Sequence, residues 1–336
     1  MNSLEKWKHC VVNLEFRSFN GESPNIRTGT AILINYKNHY FLATASHLLL
    51  DNNVRSDIPI YQRLVKQIMR VPLFDELNDE TKRKKITKNI FFKDGRLFWQ
   101  RQYPGFPYKN KGEDIASPKF IELSESTDPN DSALTISENN DLAVISLRPR
   151  LSELLSRIFM NDSIFVEELL MLGYNPISID EIGLGPSYEG ADIFTVGYPS
   201  DVSHVMTREE IKGKYEEYFS IDVTIPCFTF GKVSMVNTNL QYFWADLRIY
   251  YGNSGSPVIE NNKLVGIVTH HAIMEAKDQF LIIPFAKATK AELLHDLLEE
   301  QLKKDEIFTN PETLPRRFPN HFLSPEDKEK LKRSGI

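Results

Sequence analysis

The chain has 336 residues, 41% hydrophobic and 26% charged, with 46 acidic against 40 basic side chains and a net charge of −6. That is ordinary globular composition, long enough to bury a large core and to form about two domains or one catalytic unit with insertions. It excludes a global basic field that would draw the chain to nucleic acid. No stretch nears the roughly 20 apolar residues of a membrane span, and the first residues lack the apolar core of a signal peptide. Two cysteines, Cys10 and Cys227, are too few for a disulfide scaffold, so reduced thiols and a cytoplasmic protein are expected.

Residues 11–50 read as strands. In GTAILINYKNHYFLATASHLLL, two apolar runs flank the turn Tyr36–Lys37–Asn38–His39, a hairpin signal. SHLLL then reads as a short helix capped by Ser46. Residues 51–135 are polar and aperiodic and read as an insertion. Within it, DELNDETKRKKITKN places acids before bases, as a helix dipole prefers, and NIFFKDGRLFW suggests a hairpin around Asp94–Gly95. The basic part of that helix is expected to face solvent rather than nucleic acid.

DLAVISL (141–147) is a buried strand by its apolar run, and SELLSRIFMNDSIFVEELLMLG includes helix. ADIFTVGYPS is a strand ending in a Gly–Tyr–Pro turn, and HVMTREEIKGKYEEYF reads as helix or loop. The segments from Val223 to Asn237 and from Phe243 to Ala272 read as strands, with turns at Gly231, Gly252–Gly255 and Asn261–Asn262. Tyr242, Phe243 and Trp244 are expected to fill the second barrel rather than grip substrate. In KATKAELLHDLLEEQLKK, Leu293, Leu294, Leu297, Leu298 and Leu302 share one helical face. The tail after 307 is Pro-rich and charged. Many short strands and one terminal helix indicate a β-dominated barrel or sandwich.

The chemistry concentrates in YYGNSGSPVIENNKLVGIVTHHA, residues 250–272. A serine hydroxyl is a poor nucleophile unless a base takes its proton and donors hold the charge on the carbonyl oxygen. Glycines flanking the Asn253–Ser254 pair permit backbone conformations that aim successive N–H groups at one point, so Gly252, Asn253 and Ser254 are the candidate oxyanion hole. His47 ends an apolar strand at a turn, a place from which an imidazole is held by the scaffold and faces a cleft. Asp141 heads a buried strand and is the candidate carboxylate that fixes the imidazole tautomer. Each signal alone is common; the three in the order His, Asp, Ser are far more specific.

ATASH, NNDLAVISL and DLRIYYGNSGSPV followed by LVGIV resemble the three catalytic blocks of trypsin-like serine peptidases, with the flavour of the HtrA/Deg-like bacterial branch, whose serine block reads GNSGGP. VGYP (196–199) and GKVS (231–234) match further landmarks of that family. The resemblance covers most of 11–50 and 135–285. It implies two antiparallel six-stranded β-barrels, with a large insertion in the first and a C-terminal helix. Residues 1–150 would form the first barrel with His47 and Asp141, including the insertion at about 51–135. Residues 151–285 would form the second with Ser254, followed by the helix at 286–306 and the tail at 307–336. It implies a Ser-His-Asp endopeptidase without cofactor or metal, acting on a protein or peptide that pairs with Thr269, His270 and His271 as an added strand.

Two departures have consequences. Asn253 stands where digestive proteases carry an aspartate that pairs with a buried ammonium released by cleavage, so no zymogen cleavage is expected. Ser256 replaces the usual second glycine. Arg248 lies, by position, at the floor of the specificity pocket; with His270 and His271 beside it, acidic side chains would be favoured, whereas pairing with Asp246 or Glu217 would take it out of the pocket. Adjacent histidines on a strand point to opposite faces and do not both bind one ion. Narrow specificity, control by the insertion or a regulatory protein partner, and no PDZ domain after the barrel complete the expectation. The rival reading is a catalytically silent module that keeps the fold and binds peptides.

Overall fold

The computed structural model describes residues 3–19, 24–50, 91–93, 133–149, 165–171, 173–200, 204–207, 222–224, 226–276 and 279–309. The expected helix at 75–89, most of the hairpin around Asp94–Gly95, nearly all of the insertion and most of the tail lie outside them.

The described chain is mostly β. It opens with helix α1 (Ser3–His9), then β1 (Val11–Phe19), β2 (Pro24–Tyr36) and β3 (His39–Thr44). After β4 (Phe91–Lys93) come β5 (Leu134–Ser137), β6 (Leu142–Ser146), helix α2 (Phe165–Met171) and β7 (Ile177–Ser178). These strands make one seven-stranded sheet in the order β4-β1-β2-β3-β6-β5, with β7 pairing parallel to β2. The sheet therefore recruits Ile177–Ser178 from the stretch assigned on sequence to the second unit. The expected first hairpin is present: Tyr36 pairs with His39, and Lys37 and Asn38 both take positive φ, the two-residue turn whose twist suits a hairpin.

The second unit is a closed antiparallel barrel of six strands. They are β8 (Asp192–Gly197), β11 (Cys227–Met235), β12 (Tyr242–Asp246), β13 (Pro257–Glu260), β14 (Lys263–Ala276) and β15 (Gln279–Lys290), closing in the order β11-β12-β15-β14-β13-β8. A separate ribbon is formed by β9 (His204–Thr207) and β10 (Asp222–Thr224). The β-dominated architecture with two units, the barrel antiparallel throughout and the first sheet antiparallel except for β7, is thus the expected one. Among the described residues the first unit is a seven-stranded sheet, and the second is the closed ring.

Several local expectations are corrected. Gly231 is no turn but lies inside β11, where an added Cβ would stand 1.7 Å from the Asp246 carbonyl oxygen; glycine is there for close backbone approach. His204–Thr207 is strand rather than helix or loop. Of the aromatic trio, only Phe243 enters the barrel core; strand alternation turns Tyr242 and Trp244 outward, where they pack edge-on and Lys287 caps the Tyr242 ring. The sequence KATK continues β15, and helix α3 runs Leu294–Thr309 after a 3-10 turn at Ala291–Leu293.

The leucine face of that helix does what its spacing predicts. Leu294, Leu297, Leu298 and Leu302 are buried in a core shared with Trp7, Ile32, Phe41, Val144 and Ile267, and Leu293 packs against it. Burial of four leucines is worth roughly 1.5–3 kcal/mol each. A polar strip then fixes the helix on the first sheet. Thr135 Oγ1 donates to Gln301 Oε1 at 2.9 Å, Gln301 Nε2 donates to Asp305 Oδ1 at 3.1 Å, and Ser146 Oγ donates to the other Asp305 oxygen. Helix α3 thereby stiffens β5 and β6, the hairpin that carries Asp141. Cys10 is buried and Cys227 half-buried, and both are free thiols, as expected. Burial pushes the Cys10 thiol up to about 12, so it is inert. No helix among the described residues is long and apolar enough to cross a membrane.

Candidate active site

The first sheet supplies the candidate base and the candidate carboxylate. His47 sits in a 3-10 turn, Ser46–Leu48, directly after the buried strand β3. Asp141 sits at the tight turn between β5 and β6 with φ of 51°, a left-handed conformation that aspartate tolerates better than most residues. That turn directs its carboxylate at the His47 turn. One oxygen, Oδ1, accepts from the His47 backbone N–H at 2.8 Å and from Ser46 Oγ at 2.8 Å. The other, Oδ2, faces His47 Nδ1 at 2.7 Å. The expected role of Ser46 as a helix cap is therefore corrected: no side-chain cap forms, and its hydroxyl serves Asp141 instead.

Burial pushes the Asp141 carboxyl up, but the hydrogen bond and electrostatic pull of the His47 ring, with the His47 backbone and Ser46 donors, outweigh it and hold the group below the usual carboxylate range. An ionised carboxylate only accepts, so Nδ1 of His47 carries the proton. Its Nε2 lone pair then faces Ser254 Oγ at 3.0 Å. The imidazole thus stands between hydroxyl and carboxylate, with the tautomer that accepts a proton from the serine.

The barrel supplies the candidate nucleophile, Ser254, on the loop between β12 and β13. Gly252 and Gly255 take φ of 95° and 86°. An added Cβ would stand 2.2 Å from the Tyr198 carbonyl oxygen at Gly252 and 1.9 Å from the Thr30 carbonyl oxygen at Gly255, so both positions need glycine. The loop is tied on both sides. Gly255 N–H donates to the Val268 carbonyl at 2.8 Å and Ser256 N–H to the Asn253 carbonyl at 2.9 Å. Across the units, Thr30 of β2 donates its backbone N–H to the Ser254 carbonyl at 2.8 Å and its hydroxyl to the Gly252 carbonyl at 2.8 Å, while accepting from Tyr198 N–H at 3.0 Å.

The N–H groups of Gly252 and Ser254 find no acceptor among the described residues, whereas Asn253 N–H donates to the Tyr250 carbonyl at 3.0 Å. Asn253 is therefore removed from the candidate oxyanion hole: its donor closes the turn. The Asn253 side chain is buried and neutral and needs no counter-ion. Ser256, in place of the second glycine, is accommodated by a glycine elsewhere. A Cβ on Gly197, in the VGYP landmark, would stand 1.9 Å from Ser256 Oγ.

Of the candidate substrate residues, His270 lies directly beside the His47–Asp141 pair. Its ring centroid lies 5.5 Å from that of His47, and its Nδ1 is 3.6 Å from Asp141 Oδ2. His271 turns away, with its ring 6.0 Å from that of the exposed Tyr251. The two histidines thus occupy opposite faces, as strand geometry requires. Thr269 Oγ1 donates to the Lys287 carbonyl at 3.3 Å. Arg248 is exposed and pairs with neither Asp246 nor another carboxylate among the described residues. Burial pulls His270 below the ordinary imidazole range despite Asp141, and burial followed by His270 does the same to His271. Both shifts favour the neutral ring over the imidazolium.

β14 continues beyond its pairing with β13, which ends at Pro257↔Ile267. From His270 to Ala276 it pairs only with β15 among the described residues. Register shifts at Val268/His270 and His271/Ala272 mark bulges in this stretch.

Three residues that position the site have only faint sequence signals. Thr30 is a polar residue inside the apolar run TAILI; buried hydroxyls need partners, but the run does not say which. Ser46 is adjacent to the histidine, and Gly197 precedes a Tyr–Pro turn.

No family model matches the chain, and no curated protein matches it. Among solved structures, the chain is similar to the crystal structure of the Rv3671c protease from M. tuberculosis in its active form, with 11% identity over 89% of this chain and 83% of that chain and a TM-score of 0.44.

Proposed function

We propose that the chain is a trypsin-like serine endopeptidase of HtrA/Deg-like flavour, cytoplasmic and of narrow specificity. The single observation that carries this reading is the His47 imidazole standing 2.7 Å from the Asp141 carboxylate and 3.0 Å from Ser254 Oγ. Ser254 attacks the scissile carbonyl while His47 Nε2 takes its proton and later delivers it to the leaving amine. Asp141 holds the tautomer and stabilises the imidazolium. The amides of Gly252 and Ser254 hold the developing oxyanion, and water then hydrolyses the acyl-enzyme by the same proton relay. A peptide substrate adds as a strand along Thr269–His271, where the edge of β14 is unpaired among the described residues.

Exposed Arg248 favours an acidic side chain at the cleavage site, and the neutral Asn253 makes activation by a new N-terminus unnecessary. The insertion at about 51–135 or a partner protein gates access; deletion of 75–130 is expected to change peptide turnover or substrate choice, and an unchanged profile dismisses the gate. The deciding experiment is labelling with a fluorophosphonate probe beside a peptide-library digest. Wild type should label once and cleave, and Ser254→Ala should do neither. Equal labelling of both proteins would sink the reading and leave a silent peptide-binding module.

A further inference from the structure

Asp141 Oδ2 faces two imidazoles, not one: His47 Nδ1 at 2.7 Å and His270 Nδ1 at 3.6 Å. One ligand atom from each of the three residues falls within 4.8 Å of the other two. A tetrahedral zinc ion bound at about 2.0–2.1 Å to nitrogen and oxygen holds its ligands roughly 3.4 Å apart. The Oδ2–His270 separation of 3.6 Å is close to that value, the His47 contact at 2.7 Å needs to open by less than an ångström, and no separation in the cluster exceeds 4.8 Å. Two imidazoles and one carboxylate, with a fourth position left to water, is a donor set suited to zinc, whereas magnesium and calcium prefer an all-oxygen shell. The His270 side chain is 53% exposed, so an ion reaches the cluster from solvent without the scaffold opening.

We propose that His47, Asp141 and His270 form a zinc site that switches the triad off. The metal-binding half stands on this cluster alone; the inhibitory half rests on the peptidase reading above. Zinc removes the base whichever ring nitrogen His47 offers. Ligation by Nε2 uses the lone pair that accepts the serine proton. Ligation by Nδ1 moves the ring proton to Nε2, which then donates instead of accepting. In both cases Asp141 is drawn to the metal and Ser254 keeps its proton.

The test uses the full chain in a Cys227→Ser background, which removes the half-buried thiol as a competing ligand. Calorimetric titration with zinc chloride should show one site. Affinity should fall by at least roughly 10-fold in His270→Ala and in Asp141→Asn, the loss that even an outer partner of a zinc ligand produces. Ser254→Ala should retain the affinity, and magnesium should not compete. Zinc should slow fluorophosphonate labelling of Ser254, EDTA should restore it, and the inhibitory midpoint should rise at least roughly 10-fold in His270→Ala. Imidazole 15N resonances of the unsubstituted protein give a readout free of any variant: zinc should move His47 and His270 and leave His39 and His295 in place. Absence of binding, affinity indifferent to His270, or shifts at other histidines overturns the site. Labelling and cleavage without zinc binding leave the peptidase standing and this inference fallen. His270-dependent zinc binding in a protein that never labels does the reverse.

Discussion

The two β units hold their parts of the site by different means. The first sheet grips the imidazole through one carboxylate, whose oxygens collect the His47 side chain, the His47 amide and the Ser46 hydroxyl. The barrel grips the hydroxyl through backbone shape: two positive-φ glycines, a turn closed by Asn253 N–H, and carbonyls held by Thr30. The difference follows from what each part must do. A base needs its protonation state set, which takes charge and hydrogen bonds. A nucleophile needs its position set and nearby N–H groups left open, which takes backbone geometry.

The contrast breaks most visibly when the reacting groups themselves go. Ser254→Ala and His47→Ala are each expected to lower kcat by about 10⁶-fold, the loss seen when either member of such a pair is removed. Melting temperature should stay near that of wild type, since both side chains sit at the solvent-facing edge of the site. Next in size is Asp141→Asn, expected to cost about 10⁴-fold, because an amide that donates to Nδ1 stabilises the wrong tautomer. Steady-state kinetics on a substrate found by library digestion checks both. Retention of more than a tenth of the activity in either single variant would contradict the roles assigned.

The barrel side predicts a different signature, in which stability and activity fall together. Gly255→Ala forces a left-handed residue and places its Cβ 1.9 Å from the Thr30 carbonyl oxygen and 2.3 Å from Thr44 Oγ1. The conformation alone costs about 1–3 kcal/mol, and the displaced loop should lose on the order of 100-fold in kcat/KM. A denaturant melt and kinetics on one preparation measure both. A fully stable but inactive variant would mean that the loop is not held as described.

The candidate triad was legible in the chain, and most of its support was not. His47, Asp141 and Ser254 announce themselves through local context: the end of an apolar strand, the head of a buried strand, and a serine between glycines. The hairpins at Lys37–Asn38 and Asn261–Asn262 were equally legible, because positive φ selects asparagine locally. Thr30 was not, because its partner Gly252 lies 222 positions away and nothing near either residue names the other. Asn253 was misread as an oxyanion donor for a related reason: which N–H of a turn is spent depends on a carbonyl that only the folded turn brings close. The aromatic trio at 242–244 looked uniformly apolar, yet strand alternation sends only Phe243 inward.

Thr30 tests whether the two grips are coupled. Thr30→Val keeps the backbone donor to Ser254 but removes the hydroxyl, leaving the Gly252 carbonyl and the Tyr198 N–H without that partner. Each orphaned group costs about 1–3 kcal/mol. The activity loss should be near 10-fold, less than for Gly255→Ala, since a misplacement well under an ångström carries only part of the penalty of a full one. Thr30→Ser, which restores the hydroxyl, should recover most of it. Failure of serine to rescue would assign the effect to the lost methyl packing.

The smallest effect is expected at Ser46→Ala, which removes one of the donors to Asp141 Oδ1 and leaves both His47 contacts. Activity should drop by only a few-fold, as for a single hydrogen bond worth about 1 kcal/mol net. Its value lies in the pH dependence. Burial raises the Asp141 carboxyl and its donors lower it further than that, so the folded value lies below the unfolded value of about 3.9. A depressed carboxylate stabilises the fold at every pH above its unfolded value, and that contribution is lost as pH falls through the folded one. Losing the Ser46 donor moves the folded value back up, so the variant should surrender its share earlier on acidification. The stability gap between variant and wild type should be full at pH 5–7 and shrink below about 4. A gap that stays constant down to pH 2 would show that the Ser46 hydroxyl serves packing rather than the charge on Asp141, and the carboxylate-centred grip of the first sheet would lose one of its supports.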